Sequence, residues 1–187
     1  MNAQQREAIV QALWPQAAAR RRGVWGVLDC ARDPWIYPAL VESRLEFLCL
    51  YSGRLAPALE RVAPQLVELH PGNRFTARWL DEGWGRSWGI LVRIEDPSNL
   101  RHHLRKFLKV RDEQGRSLLF RYYDPRVLRA YLPTCTADEL RALFGPIDSF
   151  LAETAAGDGL VEFGLRRGEL EVAVRVDDAL SQQAQAG

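Results

Sequence analysis

The sequence predicts an α/β (α+β) domain: a mixed β-sheet flanked by helices, with a C-terminal β-hairpin. Three observations predict it. Apolar runs of strand length recur at Val24–Leu28, Glu46–Tyr51, Gln65–Leu69 and Ser87–Ile94. Segments with helical spacing separate and follow them, clearest at Ser98–Leu108, where Leu100, Leu104, Phe107 and Leu108 share one face. Two stretches read as hairpins: Val110–Tyr122 around Glu113-Gln114-Gly115, and Leu160–Val176 around Arg166-Arg167-Gly168. Strands interleaved with helices imply layers built on one sheet.

The elements follow in order. Ile9 with Leu13, and Val10 with Trp14, repeat a spacing of four, so Ala3–Trp14 reads as an amphipathic helix that Pro15 ends. Arg20-Arg21-Arg22 leads into the buried strand Val24–Leu28. Asp33-Pro34 starts a helix running to about Ser43, because Asp caps and Pro tolerates the first helical position. Glu46–Tyr51 is the second strand, Pro57 opens a short helix, and Gln65–Leu69 is the third strand. Arg74–Glu82 reads as helix and Ser87–Ile94 as strand, ended by Asp96-Pro97. Pro125–Leu132 is a short helix. Thr136-Ala137-Asp138-Glu139 is a capping box for a helix that stops at Gly145-Pro146. Ala155–Gly159 is linker-like, and the terminal hairpin follows.

Composition bounds the function. The 187-residue chain is 47% hydrophobic and 26% charged, which suits a soluble domain able to bury its core without metals or disulfides. A net charge of +1 gives no global field toward nucleic acid or an anionic membrane. Cys30, Cys49 and Cys135 are far apart and form no Cys-x-x-Cys pair, so neither a zinc site nor a redox motif is expected. No signal peptide and no bilayer-spanning run is read, so a cytoplasmic protein is expected.

Two motifs concentrate aromatics, glycines and charges: Gly83-Trp84-Gly85-Arg86-Ser87-Trp88-Gly89 and Phe120-Arg121-Tyr122-Tyr123-Asp124-Pro125-Arg126. Neither has catalytic or metal-ligand spacing. Asp124 can cap the helix that Pro125 begins. Arg121 and Arg126 can pair with Asp29, Asp33 or Asp124, giving either a structural network that locks loops at strand ends or a direct partner contact. Trp84 and Trp88 either pack the core or form an exposed anchor, and they are candidate partner-binding residues. Arg101, Arg105, Lys106, Lys109 and Arg111 form a basic stripe, either a solvated face or a surface for an acidic partner. Leu160, Phe163, Leu170 and Val172 of the terminal hairpin offer an edge for strand addition. His102 and His103 are adjacent and face different sides of a helix, so they cannot share a metal. A small metal-independent hydrolase using Asp29, Asp33 and Arg126 is the alternative, and a nucleic-acid binder using the basic stripe is a third reading.

An ordered set of motifs carries a family resemblance. It runs through Leu28-Asp29-Cys30-Ala31-Arg32-Asp33-Pro34, Tyr37-Pro38, Leu50-Tyr51-Ser52-Gly53 and Ala63–Leu69. It continues at Gly83-Trp84-Gly85, Ser87-Trp88-Gly89 and Leu100–Val110, and is strongest over Phe120–Leu128, closing at Leu143–Ile147. This set resembles the type VI secretion effector adaptor family, the Tap or TEC adaptor chaperones encoded beside VgrG spike proteins. The resemblance implies a cytoplasmic, non-enzymatic adaptor, without cofactor, that binds a secreted toxin and loads it onto its cognate VgrG. It implies no nucleic-acid or membrane partner. The expected organisation is an N-terminal helix and lead-in over 1–22, an adaptor core over 23–147, a hairpin extension over 148–180 and a disordered tail over 181–187. Many members carry a longer C-terminal lobe, so the hairpin is where this sequence departs from the family.

Overall fold

The computed structural model describes residues 1–15, 22–111 and 113–176. Arg20 and Arg21 of the basic lead-in, Asp112 of the first hairpin, and the tail 181–187 lie outside the described residues. Strands β1 (Gly23–Leu28), β2 (Phe47–Cys49), β3 (Gln65–Leu69), β4 (Gly89–Ile94), β7 (Ser149–Glu153), β8 (Leu160–Arg166) and β9 (Glu169–Val176) form one sheet. Their order is β2-β3-β1-β4-β7-β8-β9, and every neighbouring pair is antiparallel. The short hairpin β5 (Lys109–Arg111) and β6 (Ser117–Leu119) stands apart as a second sheet. The expected α+β architecture with a C-terminal hairpin is therefore present, but the large sheet is antiparallel throughout and not mixed, because none of its neighbouring strands is joined in the parallel sense.

Helices cover both faces of the large sheet. Helices α5 (Leu100–Arg105), α6 (Pro125–Tyr131) and α7 (Ala137–Phe144) contribute Leu104, Leu128, Leu140 and Phe144 to a core with Val27, Val92, Phe150 and Phe163. On the other face α1 (Ala3–Leu13), α2 (Ile36–Ser43) and α4 (Arg74–Arg78) bring Ile9, Leu13, Leu40 and Phe75 against Val24, Leu28, Leu91 and Leu151, while the one-turn helix α3 (Pro57–Glu60) only links β2 to β3. A one-residue step along β4 changes core: Ile90 and Val92 face one side, Leu91 the other. That is the period of two expected of a strand buried on both faces.

The cap of α7 matches its sequence signal, and that of α2 does not. Thr136 and Glu139 form the expected capping box, and Asn2 and Gln5 form another on α1. Asp33 does not cap α2 directly. Its carboxylate accepts from the Trp35 N–H at 2.9 Å and so holds the turn before the helix.

Strand β7 lies in a stretch with no strand signal along the chain. It is buried on both faces, so Phe150-Leu151-Ala152 shows no alternation and is too short to show a period. Its placement matters, because β7 joins β4 to the terminal hairpin and makes residues 149–176 part of the main sheet. Helix α1 packs on β9, bringing the first helix onto the last strand. Arg93 of β4 pairs with Glu162 of β8 and donates to the Ala12 carbonyl at 2.8 Å, satisfying an otherwise orphaned helix-end acceptor. Glu162 also accepts from Arg175 at 2.7 Å and Ser149 Oγ at 2.6 Å.

His103 ties α5 to α7. Its Nε2 lies 2.7 Å from the Leu143 carbonyl, and its ring meets Phe107 edge-on at 5.2 Å. Burial lowers its pKa below the ordinary imidazole value, outweighing the Leu143 hydrogen bond, which acts the other way. The native state therefore binds the proton less well than the unfolded chain. Stability from this group is full above the ordinary value near pH 6.5 and is lost as pH falls through it (about 6.5 for a free imidazole). Urea midpoints are expected to drop from pH 7 to pH 5 more steeply in the parent than in His103→Gln. Parallel slopes would show that His103 is not linked to folding. The variant itself loses about 1 kcal/mol with the aromatic pair.

Candidate functional site

Residues from both motifs meet where β1 ends and β4 begins. Asp29 follows β1 directly, and its N–H donates to the Trp88 carbonyl at 2.8 Å. Its buried carboxylate pairs with Arg121, whose own side chain is half exposed. Asp124 caps α6: it accepts from the Arg126 N–H at 3.0 Å, from Arg126 Nε at 3.0 Å and from Nη2 at 2.6 Å. Burial would raise the Asp124 carboxyl, but the Arg126 guanidinium and N–H outweigh it and hold it below the usual carboxylate range. The expected network is thus two separate pairs, Asp29–Arg121 and Asp124–Arg126. Among the described residues Asp33 joins neither, because its carboxylate serves the turn before α2.

Glu153, at the end of β7, carries a role the sequence did not signal. Its buried carboxylate accepts from the Gly85 N–H at 2.8 Å, the Ser87 N–H at 3.1 Å and Ser87 Oγ at 3.3 Å. Burial pushes its pKa up, and these donors partly offset the rise. Ser87 sits at a φ of 58°, the left-handed region that costs a non-glycine residue energy, and both of its donors are held by this carboxylate. Arg129 of α6 donates to the Glu153 carbonyl at 2.6 Å, so β7, α6 and the tryptophan loop are fastened at one point.

Neither tryptophan of that loop is an exposed anchor. Trp88 is 1% exposed and Trp84 is 9% exposed, both within the core under α1 and α4. Trp84 Nε1 donates to the Gly159 carbonyl at 3.1 Å. A Cβ on Gly83 would stand 2.4 Å from the Trp88 ring, so this glycine is there to let the indole lie against the backbone. Of the two readings of this motif, core packing is the one the fold realises. Trp35 is the exposed tryptophan instead, at 63%.

The terminal hairpin divides in the same way. Leu160 and Phe163 are buried, so they are core residues and not contact residues. Leu170 is half-buried, Val172 is exposed, and Val174 beside it is exposed too. These three lie on one face of β9, opposite Leu165, Phe163 and Val161 of β8. No described strand pairs with the outer side of β9, which leaves an open sheet edge with an apolar stripe.

The basic stripe also splits. Arg101 Nε donates to the Cys49 carbonyl at 2.9 Å and so ties α5 to β2. Arg105, Lys106 and Lys109 instead line a surface groove of about 810 Å³ between α5, the chain after β2 and the β5–β6 hairpin. None of Asp29, Asp33, Arg126 or Glu153 lines it. Among the described residues, no group of three His, Cys, Asp or Glu side chains is placed to hold a metal ion, and no helix is long and apolar enough to cross a membrane.

A family model described as Domain of unknown function (DUF4123) matches residues 24–142. No curated protein and no solved structure matches the chain. The matched segment runs from β1 into α7, spans more than half of the chain and includes both acid–arginine pairs. The chain belongs to the DUF4123 family.

Proposed function

We propose that this protein is an adaptor chaperone that binds a type VI secretion effector in the cytoplasm and loads it onto its cognate VgrG spike. The observation that carries the proposal is the DUF4123 match over 24–142, the same stretch whose ordered motifs resemble the adaptor family. The side-chain geometry supports a binding role over a hydrolytic one. Asp29 is engaged by Arg121 and Asp124 by Arg126, Asp33 serves a turn, and none of them converges on the groove.

The open edge of β9 supplies a physical means of capture. An extended cargo segment adds main-chain hydrogen bonds there and buries Val172 and Val174, now 54% and 50% exposed. Co-expression with the product of the gene next to the adaptor's own, as the candidate toxin, tests both levels. The parent is expected to retain the toxin through purification. Val172→Asp with Val174→Asp is expected to stay folded and bind about tenfold more weakly, since burying the half of each valine that is still exposed is worth roughly 0.8 kcal/mol. Unchanged affinity in the double variant would remove the edge mechanism. Normal toxin secretion in a strain lacking the adaptor would remove the adaptor reading itself.

A further inference from the structure

We infer that the groove beside α5 is a second docking site, shaped for an acidic amphipathic segment of a partner polypeptide. The inference rests on the adaptor reading and names the chemistry of what that adaptor grips. The groove's floor is apolar: Leu108 is buried beneath it, Leu55 is half-buried, and Leu119 of β6 rises 51% exposed as one wall. Its rim is basic, carrying Arg105, Lys106 and Lys109, and no acidic residue is among those that line it.

Charge complementarity commits the site to one class of occupant. The whole chain carries a net charge of only +1, so three cations around one cavity without a carboxylate are a local concentration. None of the three forms an ion pair with a described residue, although acids elsewhere on the surface pair freely with arginines, as Asp81 does with Arg6 and Glu82 with Arg78. Unpaired cations around an apolar floor favour a ligand offering carboxylates at its flanks and aliphatic side chains at its centre. A volume of about 810 Å³ accepts several such side chains. A nucleic acid fits less well. The lining offers Tyr51 and His102 as its only rings, where single strands need stacking platforms, and the basic charge does not extend over the molecule.

The test uses the full chain and three labelled probes read by fluorescence anisotropy. These are a synthetic helical peptide of leucine and glutamate, the same peptide with lysine for glutamate, and a single-stranded oligonucleotide. The acidic peptide is expected to bind at least tenfold more tightly than the basic one and to weaken as salt is added. Lys106→Glu with Lys109→Glu is expected to weaken it at least tenfold, and Leu119→Asp to do the same by spoiling the wall. All three side chains are exposed, so the melting temperature should hold. Equal binding of the two peptides overturns the inference, as does an unaffected charge-reversal variant or tighter binding of the oligonucleotide. If the parent retains its toxin and the charge-reversal variant retains it equally, the groove is not the grip, while the adaptor reading stands. If the parent retains no toxin, the adaptor reading falls, and the peptide titration alone decides the groove.

Discussion

Replacing Gly89 with alanine is expected to unfold the protein or cost it more than about 4 kcal/mol, a loss reserved for a few severe mechanisms. Gly89 opens β4 opposite Leu28 of β1, at the centre of the seven-stranded sheet. A Cβ there would stand 2.2 Å from the Val27 carbonyl oxygen and 3.0 Å from the Leu28 Cα. Both are backbone atoms of the paired strand, so no rotamer change relieves the contact. The strands must separate, and the Asp29 N–H bond to the Trp88 carbonyl lies at the same junction. Gly164 is the control. It sits inside β8, and nothing lies within 4 Å of a Cβ added there. Gly164→Ala is expected to stay within about 0.5 kcal/mol of the parent or gain up to about 1 kcal/mol, because alanine loses less chain entropy on folding. Urea denaturation of the two variants decides it. A Gly89→Ala protein within about 1 kcal/mol of the parent would mean that the β1–β4 junction has room for a Cβ.

Glu153→Ala is the second large effect, expected at about 3 kcal/mol. The substitution leaves the Gly85 and Ser87 N–H groups without their acceptor and removes what holds Ser87 at positive φ. A hydrogen bond to a charged group is worth about 1.5–3 kcal/mol, and an orphaned buried donor adds its own desolvation cost. For a chain of this size the loss corresponds to a fall in melting temperature of roughly 6–12 °C. Glu153→Gln keeps an acceptor oxygen but turns an amide toward one of the donors, so an intermediate loss is expected. Calorimetry on both variants tests the order. A Glu153→Ala protein melting within about 2 °C of the parent would show that the tryptophan loop does not depend on this carboxylate.

Local signals in the sequence were reliable where the physics is local. Thr136 with Glu139, Asp124 before Pro125, and the turn at Arg166-Arg167-Gly168 each satisfy backbone groups a few residues away, so sequence neighbours decide them. Glu153 could not be found this way, because its donors lie 66 and 68 residues earlier. The basic stripe was visible as a stripe. That Arg101 ties down β2 while Arg105 lines a groove depends on where β2 and the β5–β6 hairpin lie.

The chain alone therefore determined the alternation of strands and helices, the caps, the terminal hairpin and the family, because each is written in periods and motifs along the backbone. Only the tertiary structure decided which aromatic and aliphatic residues are surface. Trp88 and Phe163 are buried and Trp35 and Val172 exposed, although all four are apolar. Hydrophobicity says that a side chain gains by leaving water, but whether room exists for it is settled by the packing of segments far apart in sequence.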